Sequence, residues 1–123
     1  MSRLSVPRRL WSKAESLSAS GIEEFAWRPE DAVQVLELLR PTEIAVLGGD
    51  VYLKRHERFE PSYENWYAER DLQEPLGAFA IRSQSIAREY LMNLMRTGAA
   101  ECWVTLVLSD PMEPAEEDDV GLT

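Results

Sequence analysis

One histidine and one cysteine set narrow limits on the chemistry this chain can perform. His56 lies in the charged run Lys54-Arg55-His56-Glu57-Arg58. General acid–base work needs a sheltered group whose pKa is tuned by its surroundings, and a charged turn offers neither. Cys102 opens the apolar run Cys102-Trp103-Val104-Thr105-Leu106-Val107-Leu108. A cysteine in such a run usually acts as a small, inert hydrophobe. A nucleophilic Cys102 with His56 as its base is the one such pairing available, and nothing in the spacing supports it. A single cysteine excludes an intrachain disulfide, and the Cys/His set of a structural zinc site is missing.

Gly48-Gly49-Asp50 could belong to a phosphate loop, but it matches neither the P-loop pattern nor the dinucleotide fingerprint, and no helix follows it. Two glycines inside a strand-like pattern are better read as a bulge or a place of close approach. Asp50, Glu57 and Glu60 could hold a metal, yet their spacing is not that of an EF-hand. Solvated surface carboxylates are the expectation. The sequence therefore points to no cofactor, no metal and no catalytic residue.

The other conspicuous group is aromatic. Tyr52, Tyr63, Trp66 and Tyr67 fall on or beside two expected strands. Strand alternation places Tyr63, Asn65 and Tyr67 on one face and Trp66 on the other. One of those faces must be core. The exposed remainder has the composition of a binding hot spot, because Tyr and Trp supply large contact area at small entropic cost. With the neighbouring acids, the candidate partner-binding residues are Asp50, Tyr52, Glu57, Glu60, Tyr63, Asn65, Trp66 and Tyr67.

The formal net charge of the 123 residues is −9. The first thirteen residues carry four cations and no acid, and residues 109–123 carry six acids and no cation. The part between them is acidic in its own right. Such a body repels phosphates, which argues against DNA or RNA as partner and favours a basic protein. Acidity for solubility alone is the bland reading of the same numbers. No apolar run approaches the length of a membrane-spanning helix. Serine, lysine and glutamate follow the basic opening, which is not the pattern of a secretory signal. With no disulfide to form, a reducing cytoplasm is the expected setting.

Stepping outward along the chain, residues 7–18 have the apolar spacing of a weak, serine-rich helix that begins at Pro7 and stops at Gly21. Residues 29–40 predict a strong helix. Pro29 suits its first turn, Glu30 and Asp31 suit the positive end of its dipole, and Pro41 stops it. Residues 44–53 read as a strand, residues 54–62 as an exposed turn, and residues 63–68 as a second strand folded back on the first. A helix is expected from near Ser83, where serines offer caps, to a stop at Gly98. Residues 102–108 read as one continuous strand. Residues 110–123 have the composition of an acidic disordered tail, so a single domain is expected over residues 1–109. This order predicts an α+β domain: a small antiparallel sheet of about three strands with helices on one face.

The pieces Gly48-Gly49-Asp50-Val51-Tyr52 and Asn65-Trp66-Tyr67, set between the helices and the strand described above, resemble one of the immunity-protein families of bacterial polymorphic toxin systems, immunity protein 40. The resemblance covers roughly residues 21–109 and leaves the first helix and the acidic end outside. It implies a small cytoplasmic protein, encoded beside a secreted toxin, that binds the toxin domain and blocks it. It brings no catalytic residues to transfer. Many such toxins are nucleases with basic active sites, which an acidic inhibitor would suit. The expected function is thus binding and neutralisation of a cognate, basic toxin domain, with no nucleic acid or membrane as partner. The rival readings are an adaptor module for an unrelated protein, which gene context would separate, and a small enzyme using His56, Cys102 or Asp50, which would need a pocket around them.

Overall fold

A computed structural model describes residues 3–22, 24–97 and 101–116. The chain opens with a short strand β1 (Leu4–Val6), one helical turn α1 (Arg8–Trp11), strand β2 (Glu15–Ser16), a 3-10 turn (Ser18–Ser20) and strand β3 (Phe25–Ala26). The helix expected over residues 7–18 is therefore only its first turn. Serines compete for backbone groups and weaken a helix, and the following residues pair instead as a β2–β3 ladder, with Glu15 opposite Ala26. Gly21, at φ +83°, ends the 3-10 turn in the left-handed conformation that glycine adopts at no steric cost.

Helix α2 (Pro29–Leu39) forms where the sequence places it, with Pro29, Glu30 and Asp31 in its first turn and Ala32, Val35, Leu36 and Leu39 buried along one stripe. Its last carbonyl is well served. Thr42 Oγ1 donates to Leu39 O at 2.7 Å, and Gln84 Nε2 donates to the same oxygen at 3.1 Å. Helix α3 (Leu76–Thr97) starts seven residues before Ser83. Phe79, Ala80, Ser83, Gln84, Ala87 and Leu91 form its buried face. Ser83, expected as a cap, is an interior residue. Its Oγ donates to Ala80 O at 3.0 Å and accepts from Val46 N at 2.9 Å, which fastens the helix to the sheet. Gly98, the expected stop, lies outside the described residues.

The sheet is built on a long hairpin, β4 (Val46–Arg55) and β5 (Arg58–Tyr67), with β6 (Cys102–Val104) and β7 (Val107–Leu108) both antiparallel to the other edge of β4. The strand expected over residues 102–108 is thus broken at Thr105 and Leu106. Thr105 exchanges two hydrogen bonds with Asp50, its Oγ1 accepting from Asp50 N and its own N donating to Asp50 O, each at 3.0 Å. The turn expected over residues 54–62 shrinks to His56 and Glu57, both at positive φ (51° and 67°). That is the twist a two-residue hairpin turn requires. Pro61 fits inside β5 because β5 is an edge strand and its missing N–H breaks no ladder.

Both faces of this sheet are used, which goes beyond helices packed on one face. The helix side holds the main core, with Trp27, Leu39, Val46, Val51, Trp66, Leu91 and Val104. The opposite side carries a second cluster of Leu17, Ala26, Tyr52, Phe59 and Trp103. The segment around Leu17 and the 3-10 turn covers one end of that face.

The segment expected to be a disordered tail from residue 110 starts with structure. Strand β8 (Met112–Pro114) pairs in parallel with β1, Leu4 opposite Met112 and Val6 opposite Pro114. Leu4 N donates to Pro111 O at 2.9 Å and Ala115 N to Val6 O at 2.8 Å. Arg3 pairs with Glu113 at 2.8 Å. Polar composition hid this strand because its partner lies at the other end of the chain. Residues 117–123 of the expected tail lie outside the described residues.

Candidate interaction surface

The sheet face away from the helices divides into two halves. At the hairpin end, Tyr52 lies opposite Trp103 across the β4–β6 ladder. Phe59 meets Trp103 edge to face at 5.5 Å between ring centres. Lys54 Nζ stands 5.4 Å from the Trp103 ring centre, within cation–π range, and its ion pair with Glu15 at 3.1 Å ties β2 over this end. At the other end nothing among the described residues covers the strands. Tyr67 lies opposite Gly48, and Val107 is paired to Gly48 from the other side. Asp50 lies opposite Asn65. Paired residues in a ladder share a face, so Tyr67 and Val107 form one exposed row and Asp50 and Asn65 the next. Leu47 is also exposed.

Backbones approach one another closely at the two glycines of this half. A Cβ built on Gly48 would sit 2.3 Å from Trp66 O. One built on Gly49 would sit 2.2 Å from Thr105 O and 2.5 Å from the Trp66 ring. Register shifts flank the pair, one between Val46 and Gly48 against β7 and one between Asp50 and Tyr52 against β5. In the second, β5 carries extra residues. Ser62 Oγ fills the gap by donating to Val51 O at 2.9 Å, and Tyr63 adopts φ +70°. Tyr63 is 86% exposed and Tyr67 72% exposed.

Glu24 lies just before β3, where its carbonyl accepts from Leu17 N at 2.9 Å. It is two residues before Ala26 on an extended segment and shares the face that Ala26 contributes to the second cluster. Burial, and next the charge of Asp50, raise its carboxyl above the ordinary value of 4.5. Burial, then Asp50, then Glu24 raise the Tyr52 hydroxyl above its ordinary value of 10.0. Across this acidic corner Asp50 acts on Glu24, and both carboxylates act on the Tyr52 hydroxyl, through their charges.

The candidate residues read from sequence separate accordingly. Asp50, Asn65 and Tyr67 come together on the open half, and Tyr63 projects from the neighbouring bulge. Tyr52 is 6% exposed and belongs to the second cluster. Trp66 is 8% exposed on the helix side, stacked on Tyr90 at 4.6 Å between ring centres. It is a core residue. Glu57 and Glu60 lie at the hairpin tip, where Glu60 is 3.9 Å from Arg55. Glu24, Leu47 and Val107 were not singled out from sequence, since no local pattern links residue 24 or 107 to residue 50. Cys102 is buried in the main core, and burial and then Glu64 raise its thiol above the ordinary 9.0. His56 is exposed at the turn beyond it.

No described helix is long and apolar enough to cross a membrane, and the described residues hold no cluster of three or more metal-ligating side chains. Comparison with curated proteins and with solved structures finds no match. Comparison with family models matches residues 16–108 to the family described as immunity protein 40. The match spans the hairpin, both long helices and the open half-face, and leaves β1 and β8 outside it. Over three quarters of its length, then, this chain belongs to the immunity protein 40 family.

Proposed function

We propose that this chain is an immunity protein that binds a cognate secreted toxin domain in the cytoplasm and neutralises it by occlusion, without chemistry of its own. The family match over residues 16–108 carries this reading. The molecule supplies what such a role needs. One half of a sheet face is left open, with exposed tyrosines of the kind that dominate binding energies. The net charge of −9 suits a basic toxin domain and would speed the encounter with one. The buried thiol of Cys102 has a raised pKa, which opposes nucleophilic use.

The test is co-expression with the toxin domain encoded by the neighbouring gene, followed by co-purification. Protection of the cells and a stable complex are the expected outcomes. Both His56→Ala and Cys102→Ser should protect as well as the parent. Loss of protection by a folded, toxin-binding His56→Ala variant would point to an enzyme instead. Association should slow as salt rises, because the partner charges are screened.

A further inference from the structure

Leu72 is 100% exposed in the loop between β5 and α3. Singly exposed apolar residues are ordinary on a protein surface. What sets this one apart is its mount. Residues 71–74 form a turn closed from both ends: Glu74 N donates to Asp71 O, and Asp71 N donates to Glu74 Oε1, each at 3.0 Å. Arg82, in the second turn of α3, grips the same carboxylate as a fork, Nε to Oε2 and Nη2 to Oε1, each at 2.7 Å. Its Nη2 also donates to Glu69 O at 2.7 Å, and Arg70 Nε donates to Glu74 O at 2.7 Å. The Arg82 guanidinium stands 5.4 Å from the ring centre of the buried Phe79, which seats the fork on α3. Arg82 first, and then Asp71 N, hold the Glu74 carboxyl down to about 2, so the fork stays charged at any pH near neutral.

The Leu72 side chain takes no part in this network. Turn tips favour glycine, proline and small polar residues, and here the tip is a leucine that the fold itself does not bury. A loop ordered before contact loses little entropy on binding, so an apolar side chain carried on it delivers more of its burial as affinity. Charge defines what the tip fits. Both cations of the loop region, Arg70 and Arg82, are engaged with Glu74. Glu69 and Asp71 are exposed, and among the described residues neither has an ion-pair partner. Leu72 is therefore flanked by uncompensated negative charge, whose complement is an apolar pocket with a basic rim. The loop leaves the sheet directly after Tyr67, where Ala68 N donates to Leu47 O at 3.0 Å, so along the chain it continues the open half-face.

Resting on the immunity reading above, we propose that the turn at residues 71–74 is a preformed docking knob, with Leu72 seating in an apolar, basic-rimmed pocket of the toxin domain. Binding kinetics with the full chain and the neighbouring gene's toxin domain test it. Leu72→Ser should speed dissociation about tenfold or more, and Leu72→Met should stay within about threefold of the parent. Asp71→Asn and Glu69→Gln should slow association at low salt, with the difference vanishing at high salt. Glu89→Gln, an equal loss of charge on the exposed side of α3, should change association by less than about twofold. Arg82→Lys keeps the charge and loses the fork. It should weaken binding several-fold in the parent, and by less than about twofold when Leu72→Ser is already present, because a loosened mount matters only while the knob is there. Thermal melts establish that every variant is folded.

The outcomes separate the two claims. If the parent chain neither binds nor protects against the toxin, the immunity reading falls and the docking knob falls with it. If it binds and protects, but Leu72→Ser dissociates at the parent's rate, only the docking knob is overturned. If Arg82→Lys costs the same with and without Leu72→Ser, the preformed mount is overturned. If Leu72→Ser instead dissolves a homodimer and leaves toxin affinity unchanged, the turn is a self-association contact and the proposal is wrong.

Discussion

The two halves of the sheet face away from the helices are made by the same strands, yet one is core and the other is surface. At the hairpin end, Leu17 and its turn lie over Tyr52, Phe59 and Trp103. At the other end, Asp50, Asn65, Tyr67 and Val107 are exposed, with nothing above them among the described residues. Strand composition does not separate the halves, since tyrosine occurs in both. The difference is whether a segment from elsewhere in the chain crosses over. A surface that the fold could have covered, and did not, is where a partner is best sought.

The largest effect expected from this contrast is on stability. Trp103→Ala in the covered half should cost about 3–5 kcal/mol, as large-to-small core substitutions do. Tyr67→Ala in the open half should stay within about 0.5 kcal/mol of the parent. Urea unfolding of both variants decides it, and equal losses would erase the distinction between the halves. Next in size is Gly49→Ala. Its Cβ would collide with Thr105 O and the Trp66 ring, so a loss of about 1–3 kcal/mol is expected from overpacking. A variant as stable as the parent would mean that the strands can spread at Gly49.

The hairpin tip offers a smaller change in the other direction. Glu57 occupies a left-handed conformation at φ +67°. Glycine there should stabilise by about 1 kcal/mol, the strain that a side chain adds in that region. Because the tip lies beyond the covered half, toxin affinity should not change; weaker binding would extend the docking surface to the tip.

The smallest effect concerns Glu24. The folded-state pKa of Glu24 is raised above 4.5, by burial first and Asp50 second. Its charged form is therefore disfavoured by folding. That penalty is absent below the ordinary carboxylate range, where both states are protonated, and grows as pH rises through it to the raised value. Glu24→Gln should melt slightly above the parent at neutral pH and level with it in acid. A difference independent of pH would place Glu24 outside the corner.

Much of the local structure was legible in the residues. Pro29, the acids behind it and the apolar stripe specify α2 because each acts within a turn or two of its neighbours. The returning strand pair was visible for the same reason, as was the demand for two glycines at one tight spot. The faces were harder to read. Alternation has period two, so one added residue flips every side chain beyond it. The bulges beside Gly48 and around Tyr63 interrupt that count, and the choice between Trp66 and the tyrosines as core stayed open until α3 supplied Tyr90 as a stacking partner.

By itself the sequence determined the acidic body, the α+β class, the strongest helix and the family, all of which follow from composition, short-range patterns and the motifs around Gly48 and Trp66. Only the tertiary structure decided that Glu24 comes within the field of Asp50, that Ser83 is a bolt between helix and sheet, and that Met112–Pro114 pairs with Leu4–Val6. Each of those joins residues far apart in the chain, through contacts whose energy exists only after the intervening segments have folded, so no local pattern announces them.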